Sequence, residues 1–173
     1  MKNNIVLIGM PGAGKSTVGI LLAKALGKNF VDSDVLIQVR EGKTLQQIID
    51  ENDYLHLRQI EESVLIDIEG HNLVIATGGS AVYSDIAMTH LARDGTIVYL
   101  ETQLHCLRER IRNYDSRGIA RRPKQSFEEL FAERTALYRH YADITLPSEQ
   151  HSPEDMVAAI AEALVGQRGL TPT

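Results

Sequence analysis

The sequence predicts an α/β fold: an open, doubly wound sheet of five parallel strands with helices on both faces. Short apolar runs alternate with longer segments in which apolar residues recur every three or four positions, and these two patterns are typical of buried strands and amphipathic helices. No hairpin signal joins two strands, so each connection is a crossover and the sheet is parallel. The chain has 173 residues, and we assign all of them, residues 1–173, to one domain.

Each element follows from its local pattern, taken in order along the chain. Strands are predicted at the short apolar runs, which are residues 4–8, 30–31, 73–76, 96–100 and 144–146. Helices are predicted where one face is apolar, at residues 15–26, 34–40, 44–50, 54–69, 84–92, 104–112, 127–141 and 153–165. Gly27 is the expected stop of the first helix. Because ligands of such a fold bind beyond the carboxyl ends of the strands, candidate functional residues are expected there.

Composition and charge argue against several classes of protein. Apolar residues make up 43% of the chain and charged residues 24%, which is typical of a globular domain and not of a disordered one. No apolar run reaches the roughly 18 residues of a membrane span, and the first residues lack a signal-peptide pattern. The net charge of −5 disfavours nonspecific nucleic-acid binding. A single cysteine, Cys106, cannot form an internal disulfide, so we expect a cytoplasmic protein. No exposed apolar stripe requires a dimer, and we expect a monomer.

The most specific motif lies between the first strand and the first helix. Residues 9–16 read Gly-Met-Pro-Gly-Ala-Gly-Lys-Ser, which fits the G-x-x-x-x-G-K-[ST] pattern of a P-loop in its required strand-to-helix context. In a P-loop, backbone N–H groups and a helix N-terminus surround nucleotide phosphates. Lys15 is expected to reach the β- and γ-phosphates of ATP, and the Ser16 hydroxyl is expected to hold Mg²⁺. The sequence therefore predicts a Mg·ATP site.

Two carboxylates follow the second strand, in Asp32-Ser33-Asp34. Phosphoryl transfer needs a carboxylate on the metal side and a group that orients the attacking hydroxyl, and this pair is placed to supply both. A D-x-D pattern alone is weak, because Asp34 could instead cap the helix that begins at Val35.

An arginine on the helix predicted at 54–69 is a candidate anion-binding group. Arg58 precedes Glu61 and Glu62 at the spacings that bring side chains together on a helix. One interpretation is a surface salt bridge. The other is a guanidinium fork held by Glu61, which grips a substrate carboxylate.

The second half of the chain adds glycines and a cationic segment. Gly78 and Gly79 follow the third strand, where glycine lets a ligand approach the backbone closely. Nine of the 18 Lys and Arg residues fall between positions 101 and 140, which indicates a local anion site or a solvated helix face. Residues 113–124 contain Gly118 and several arginines between two helices, which favours a mobile lid that excludes water.

Taken in order, these motifs resemble the shikimate kinase family. The series is G-M-P-G-A-G-K-S, D-S-D, L-R-Q-I-E, T-G-G, R-R-P and E-R-T-A-L-Y, followed by Tyr141-Ala142-Asp143, and it runs over about the whole chain. The resemblance implies a P-loop fold of the nucleoside-monophosphate-kinase type, with a helical substrate-binding segment at about 34–62 and a lid at about 112–125. It also implies Mg²⁺-dependent transfer of the γ-phosphoryl group of ATP to the 3-hydroxyl of shikimate, a step of aromatic amino-acid biosynthesis.

The resemblance implies a role for each candidate residue. Lys15 and Arg122 are implied to contact the transferring phosphate, while Asp34 binds and orients the acceptor hydroxyls. The nucleotide would be bound by Gly12, Ala13, Gly14, Lys15, Ser16, Thr17, Arg110, which stacks on adenine, and Arg122. Mg²⁺ would be held by Ser16 and, through water, by Asp32. The acceptor acid would be bound by Asp34, Arg58, Gly78, Gly79 and Arg134.

The departures from the family pattern cluster on the acceptor and lid side. Ser80 stands where a third glycine is usual, and Leu57 stands where an aromatic residue is usual. Asn52-Asp53 replaces Gly-Glu, Lys124-Gln125 follows Pro123 in place of two leucines, and 113–121 is longer than usual. Two alternatives therefore stay open: a related kinase for another hydroxy acid such as gluconate, and a nucleotide-gated binding module without turnover.

Overall fold

The centre of the molecule is a five-stranded, all-parallel sheet with the strand order β2-β3-β1-β4-β5. The computed structural model describes residues 2–168. The strands are β1 (Asn4–Ile8), β2 (Asn29–Asp32), β3 (Leu73–Ala76), β4 (Gly95–Glu101) and β5 (Ile144–Pro147). The helices are α1 (Lys15–Leu26), α2 (Ser33–Glu41), α3 (Leu45–Glu51), α4 (Tyr54–Ile66), α5 (Asp85–Asp94), α6 (Leu104–Arg110), α7 (Phe127–Tyr141) and α8 (Pro153–Arg168). The predicted fold class is confirmed.

Two hydrophobic cores cover the two faces of the sheet. Val6 and Ile8 of β1 pack into a cluster with α4, α5 and α7, whereas Ile5 and Leu7 pack into a cluster with α1 and α8. Successive side chains of a strand point to opposite faces, so a strand covered on both sides is apolar throughout. This is why β1 has no polar position after Asn4. A third, smaller cluster joins α2, α3 and α4 to Ala120 of the segment between α6 and α7.

The register of the sheet brings three chain segments together at its carboxyl edge. Leu7 of β1 and Asp32 of β2 both pair with Ala76 of β3. Just beyond, the Thr77 amide and hydroxyl both donate to the Leu7 carbonyl, at 3.1 and 3.0 Å. The Gly78 amide donates to Ser33 Oγ at 2.8 Å. The P-loop, the Asp32–Asp34 turn and the glycines after β3 therefore emerge side by side.

Two helices end earlier than the periodicity predicts. Helix α4 stops at Ile66 instead of residue 69, and Gly70 follows with a φ of 115°, a conformation that glycine favours. Helix α6 stops at Arg110 instead of residue 112. There the chain turns so that Ile111, 7% exposed, joins the core beside the P-loop. No helix within residues 2–168 has the length and apolar character needed to cross a bilayer.

Candidate active site

A cavity of about 350 Å³ lies at the carboxyl edge of the sheet. The P-loop, the first turn of α2 and the glycines after β3 form its walls, and α4, α7 and the segment between α6 and α7 close it. Its charged lining residues are Lys15, Asp34, Glu61, Arg110, Arg117 and Arg134. Cationic and acidic groups thus face each other across a space of small-molecule size.

The P-loop has the backbone that its glycines allow. Gly12 and Gly14 have φ values of 86° and 92°, in the region that side chains with a Cβ rarely adopt. The Lys15 ammonium group donates to the carbonyls of Gly9 and Met10, at 2.7 and 2.9 Å. Burial lowers the pKa of Lys15 to about 8, while the nearby Asp34 carboxylate opposes that shift. The ammonium group is therefore held against the loop that would carry the phosphates.

Ser16 and Asp32 form a pair of oxygen ligands beside the loop. The Ser16 hydroxyl donates to Asp32 Oδ2 at 2.5 Å. Asp32 Oδ1 accepts from the amides of Asp34 and Val35, at 3.0 and 3.3 Å, and so caps α2. The alternative that Asp34 is the cap is therefore wrong, and Asp34 is left to face the cavity.

Ser16 and Asp32 offer the kind of ligand atoms that Mg²⁺ prefers, but two side chains do not complete its coordination. Carboxylate and hydroxyl oxygens are the ligands that Mg²⁺ prefers, and the ion usually keeps waters and substrate phosphates as its other ligands. Within residues 2–168 no group of three or more His, Cys, Asp or Glu side chains could hold a metal by itself. An ion held by Ser16 and Asp32 would therefore need the phosphates of a nucleotide.

The part of the cavity around Asp34 and Arg134 is built against bare backbone. A Cβ at Gly78 would lie 2.7 Å from Asp34 Oδ1, and one at Gly79 would lie 2.7 Å from Arg134 Nη1. Only glycine leaves room for these side chains. Burial raises the pKa of Asp34, and the Lys15 ammonium opposes the rise. Arg134, which is 1% exposed, also opposes the rise, so a buried positive charge acts on this carboxylate.

Arg58 and Arg134 converge on one oxygen atom. Arg134 Nη2 donates to the Ala120 carbonyl at 2.7 Å, and Arg58 Nη2 donates to the same oxygen at 3.2 Å. The Arg58 guanidinium also lies over the ring of Tyr83, with its central carbon 3.6 Å from the ring centroid. Ala120 lines this cavity, whereas Arg58 lines a separate one together with Tyr83. Two guanidinium groups therefore share an acceptor at the cavity wall, as they would share a carboxylate.

The predicted support of Arg58 by Glu61 is wrong. Glu61 accepts a hydrogen bond from Ser80, and Glu62 accepts one from Ser84. Helical spacing predicts that both glutamates lie beside Arg58. In the structure the guanidinium lies over aromatic rings instead, and such a cation–π contact is favourable. Local spacing does not predict the serine partners, because they lie 19 and 22 residues away along the chain.

The segment between α6 and α7 presents a different arginine from the one predicted. The Arg122 side chain is 58% exposed and donates to Glu133 Oε2 at 3.0 Å, and it lies outside the cavity. Arg117 lines the cavity instead, together with Gly118, whose amide donates to Gln46 at 3.0 Å. The Arg-Pro dipeptide directed the prediction to Arg122. Arg117 directly precedes Gly118, which has a φ of 73°, and the sequence pattern did not single out Arg117.

Arg110 lines both this cavity and a second, adjacent cavity. Its Nη1 donates to the Gly12 carbonyl at 3.3 Å. The second cavity, of about 240 Å³, is lined by P-loop residues, Arg110 and the segment before α8, including His151 and Ser152. The predicted base-stacking arginine is therefore next to the P-loop, and residues before α8 that the sequence did not single out share its surroundings.

Comparisons with known proteins point to one family. The sequence model of the Shikimate kinase family matches residues 11–165. The shikimate kinase of Haemophilus influenzae strain PittEE is 35% identical over 176 residues, which cover 99% of this chain and 98% of that protein. The shikimate kinase of Methylococcus capsulatus strain Bath is 38% identical over 165 residues, 94% of this chain and 92% of that protein.

Solved structures agree with the sequence comparison. The shikimate kinase from Acinetobacter baumannii in complex with shikimate has a TM-score of 0.88 at 32% identity, covering 98% of this chain and 96% of that chain. A gluconokinase from Sinorhizobium meliloti has a TM-score of 0.51 at 20% identity. The second likeness shows the fold alone, so it does not favour gluconate as the acceptor.

Proposed function

Because this chain belongs to the shikimate kinase family, we propose that it transfers the γ-phosphoryl group of ATP to the 3-hydroxyl of shikimate, giving ADP and shikimate 3-phosphate. The observation that carries the proposal is the convergence of Arg58 and Arg134 on one oxygen at the wall of a cavity that Lys15 and Asp34 also line. A compact acid with hydroxyl groups offers a carboxylate to the arginines and a nucleophile to Asp34.

The nucleotide side would act by position and charge. Backbone amides of residues 12–17 and the N-terminus of α1 would surround the phosphates, with Lys15 against their β- and γ-oxygens. Ser16 and Asp32 would hold Mg²⁺, which neutralises charge on the phosphates when it is bound. Arg110 would lie against the base, next to the cavity that His151 lines. The cationic groups would lower the barrier most where they lie next to the negative charge that develops on the transferring phosphoryl group.

The acceptor side would orient the attacking hydroxyl. The carboxylate would take the place of the Ala120 carbonyl between Arg58 and Arg134. Asp34 would accept a hydrogen bond from the 3-hydroxyl and hold it in line with the phosphate. In this proposal the substrate-binding segment is about 34–62, which lies in helices α2 to α4, and the lid is about 112–125.

For the lid cation we propose Arg117 in place of Arg122. Arg117 already lines the cavity, and its neighbour Gly118 is tied to α3 through Gln46. Arg122 is engaged by Glu133, which also accepts from Gln125. A residue with that pairing supports the base of the lid, whereas Arg117 is free to approach the phosphates.

We also infer that the chain acts as a monomer in a reducing cytosol, without a nucleic-acid or membrane partner. The acidic net charge and the single cysteine support this.

The deciding experiment is ADP release from Mg·ATP with shikimate and gluconate supplied separately. We expect saturable turnover on shikimate with kcat/KM of about 10⁴ M⁻¹s⁻¹ or more, and little on gluconate. Turnover on gluconate but not on shikimate would contradict the proposal that shikimate is the acceptor. Binding of ATP with no ADP release on either acid would favour the nucleotide-gated module instead.

A further inference from the structure

Ser80 is a buried side chain at a position where the resemblance to the shikimate kinase family implies a glycine. It is 8% exposed, and its hydroxyl donates to Glu61 Oε2. Glu61 is itself only 3% exposed. One oxygen of the Glu61 carboxyl is therefore fixed by a neighbour on the adjacent loop, and a glycine at position 80 would have no hydroxyl to do this.

The other oxygen of Glu61 has no such neighbour. Within the described part of the chain, Glu61 Oε1 is buried without a hydrogen-bond partner, although Glu61 lines the cavity. A buried polar atom is nearly always hydrogen-bonded, and leaving one unpaired is costly. A Cβ at Gly78 would meet both Glu61 Oε1 and Asp34 Oδ1. The unpaired oxygen and Asp34 therefore lie over the same glycine.

We propose that Ser80 and Glu61 form a positioning pair for the acceptor, in which Ser80 fixes the carboxyl so that Oε1 accepts a hydrogen bond from an acceptor hydroxyl other than the one that is phosphorylated. This inference rests on the proposed function and adds a second hydroxyl contact to the one made by Asp34. Glu61 is available for this role because Arg58 is held by Tyr83 and the Ala120 carbonyl. A site that hydrogen-bonds a hydroxyl rejects acids that lack it.

The charges around Glu61 make the pair sensitive to pH. Burial, together with the nearby Asp34 carboxylate, raises the pKa of Glu61 to about 7. The Ser80 hydroxyl lowers this pKa, as do Arg134 from α7 and Lys15 from α1. Loss of the Ser80 hydroxyl therefore favours the protonated form of Glu61 at neutral pH.

The experiment measures kcat/KM for shikimate against pH in the wild-type protein, Ser80→Ala and Ser80→Gly. With the serine removed, we expect KM for shikimate to rise about 3- to 10-fold with KM for ATP unchanged, the range of one hydrogen bond. The acidic limb of the kcat/KM profile should move to higher pH. Ser80→Gly supplies a variant that the backbone accommodates if Ser80→Ala folds poorly.

Two further variants separate positioning from a merely structural effect. In a Glu61→Gln background, Ser80→Ala should add no further shift of the acidic limb, because the titrating partner is gone. Ser84→Ala is the matched control: Ser84 donates to Glu62 in the same way but lies outside the cavity. It should leave both KM values and the pH profile unchanged, although it removes the cap of α5 and so lowers Tm.

The outcomes distinguish this inference from the proposed function. A wild-type protein that does not turn over shikimate overturns both. A wild-type protein that is active, with unchanged KM and pH profile in Ser80→Ala and Ser80→Gly, overturns the positioning pair alone. A pH shift in Ser80→Ala that persists in the Glu61→Gln background also overturns it, because the shift would then belong to another group.

Discussion

The proposed nucleotide side and the proposed acceptor side of the cavity are built in different ways. Residues 9–17 form the nucleotide side from consecutive backbone, with glycines that permit its turns and one helix that begins inside the motif. The acceptor side combines side chains from four helices and two loops, held by contacts such as Arg58 on Tyr83 and Ser80 with Glu61. A site made of local backbone is fixed by local sequence, whereas a site made of distant side chains depends on how the elements pack.

The largest expected effects are at the two residues nearest the proposed point of transfer, Lys15 on the nucleotide side and Asp34 on the acceptor side. Lys15→Ala should lower kcat by about two to three orders of magnitude, because it removes a cation from the transferring phosphate. Asp34→Asn should lower kcat comparably, because it weakens the hold on the attacking hydroxyl. Steady-state kinetics with both substrates saturating tests this, and unchanged circular dichroism shows that the domain is folded. Near-wild-type turnover in either variant would remove that residue from the mechanism.

A matched pair of lid variants comes next. Arg117→Ala should lower kcat about 10- to 100-fold, since a lid cation acts on the charge of the transition state. Arg122→Ala removes the same side chain five residues away, where it is paired with Glu133. It should change kcat by less than about 3-fold. If Arg122→Ala lowers kcat more than Arg117→Ala does, Arg122 is the lid cation.

The prediction succeeded where local rules decide the outcome. Within residues 2–168, short apolar runs predict all five strands and helical periodicity predicts all eight α-helices. The Ser16–Asp32 pair lies beside the P-loop because the carboxyl ends of parallel strands lie at the same edge of the sheet. The contacts of the acceptor side were harder to predict from the sequence. Residues 58 and 61 share a helix face, yet the partners of Glu61 and Arg58 come from the 77–83 segment and the lid. The spacing of residues along one helix does not predict partners that come from other segments of the chain.

The acceptor arginine gives a smaller and more selective effect. Arg58→Ala should raise KM for shikimate about 10-fold and leave KM for ATP within about 2-fold, because one charge-assisted hydrogen bond to the carboxylate is lost. Arg40→Ala is the control, since Arg40 forms an exposed ion pair with Asp67 away from the cavity. Initial rates against each substrate in turn provide the measurement. A rise in KM for ATP instead would place Arg58 on the nucleotide side.

The smallest expected effect concerns stability and its dependence on pH. Burial raises the pKa of Glu61 from its model-peptide value of 4.5 to about 7, so between these values the folded protein binds more protons there than the unfolded chain does. The contribution of Glu61 to stability is therefore fully present below pH 4.5 and is lost as the pH rises through about 7. Glu61→Gln lacks this loss, so its free energy of unfolding relative to wild type should increase by about 1–2 kcal/mol between pH 5 and pH 8.

Urea denaturation at pH 5, 6, 7 and 8 measures that difference, and Glu62→Gln provides the comparison. Glu62 lies on the same helix and also accepts from a serine, but outside the cavity, so this variant should keep the pH dependence of the wild type. Lys15 and Asp34 interact with Glu61, so the measured difference also includes the change in their own titration that Glu61→Gln causes. If Glu61→Gln and wild type change in parallel from pH 5 to pH 8, Glu61 is ionised throughout. The acceptor side would then hold two buried carboxylates at neutral pH, with Arg134 and Lys15 as the cations that stabilise them.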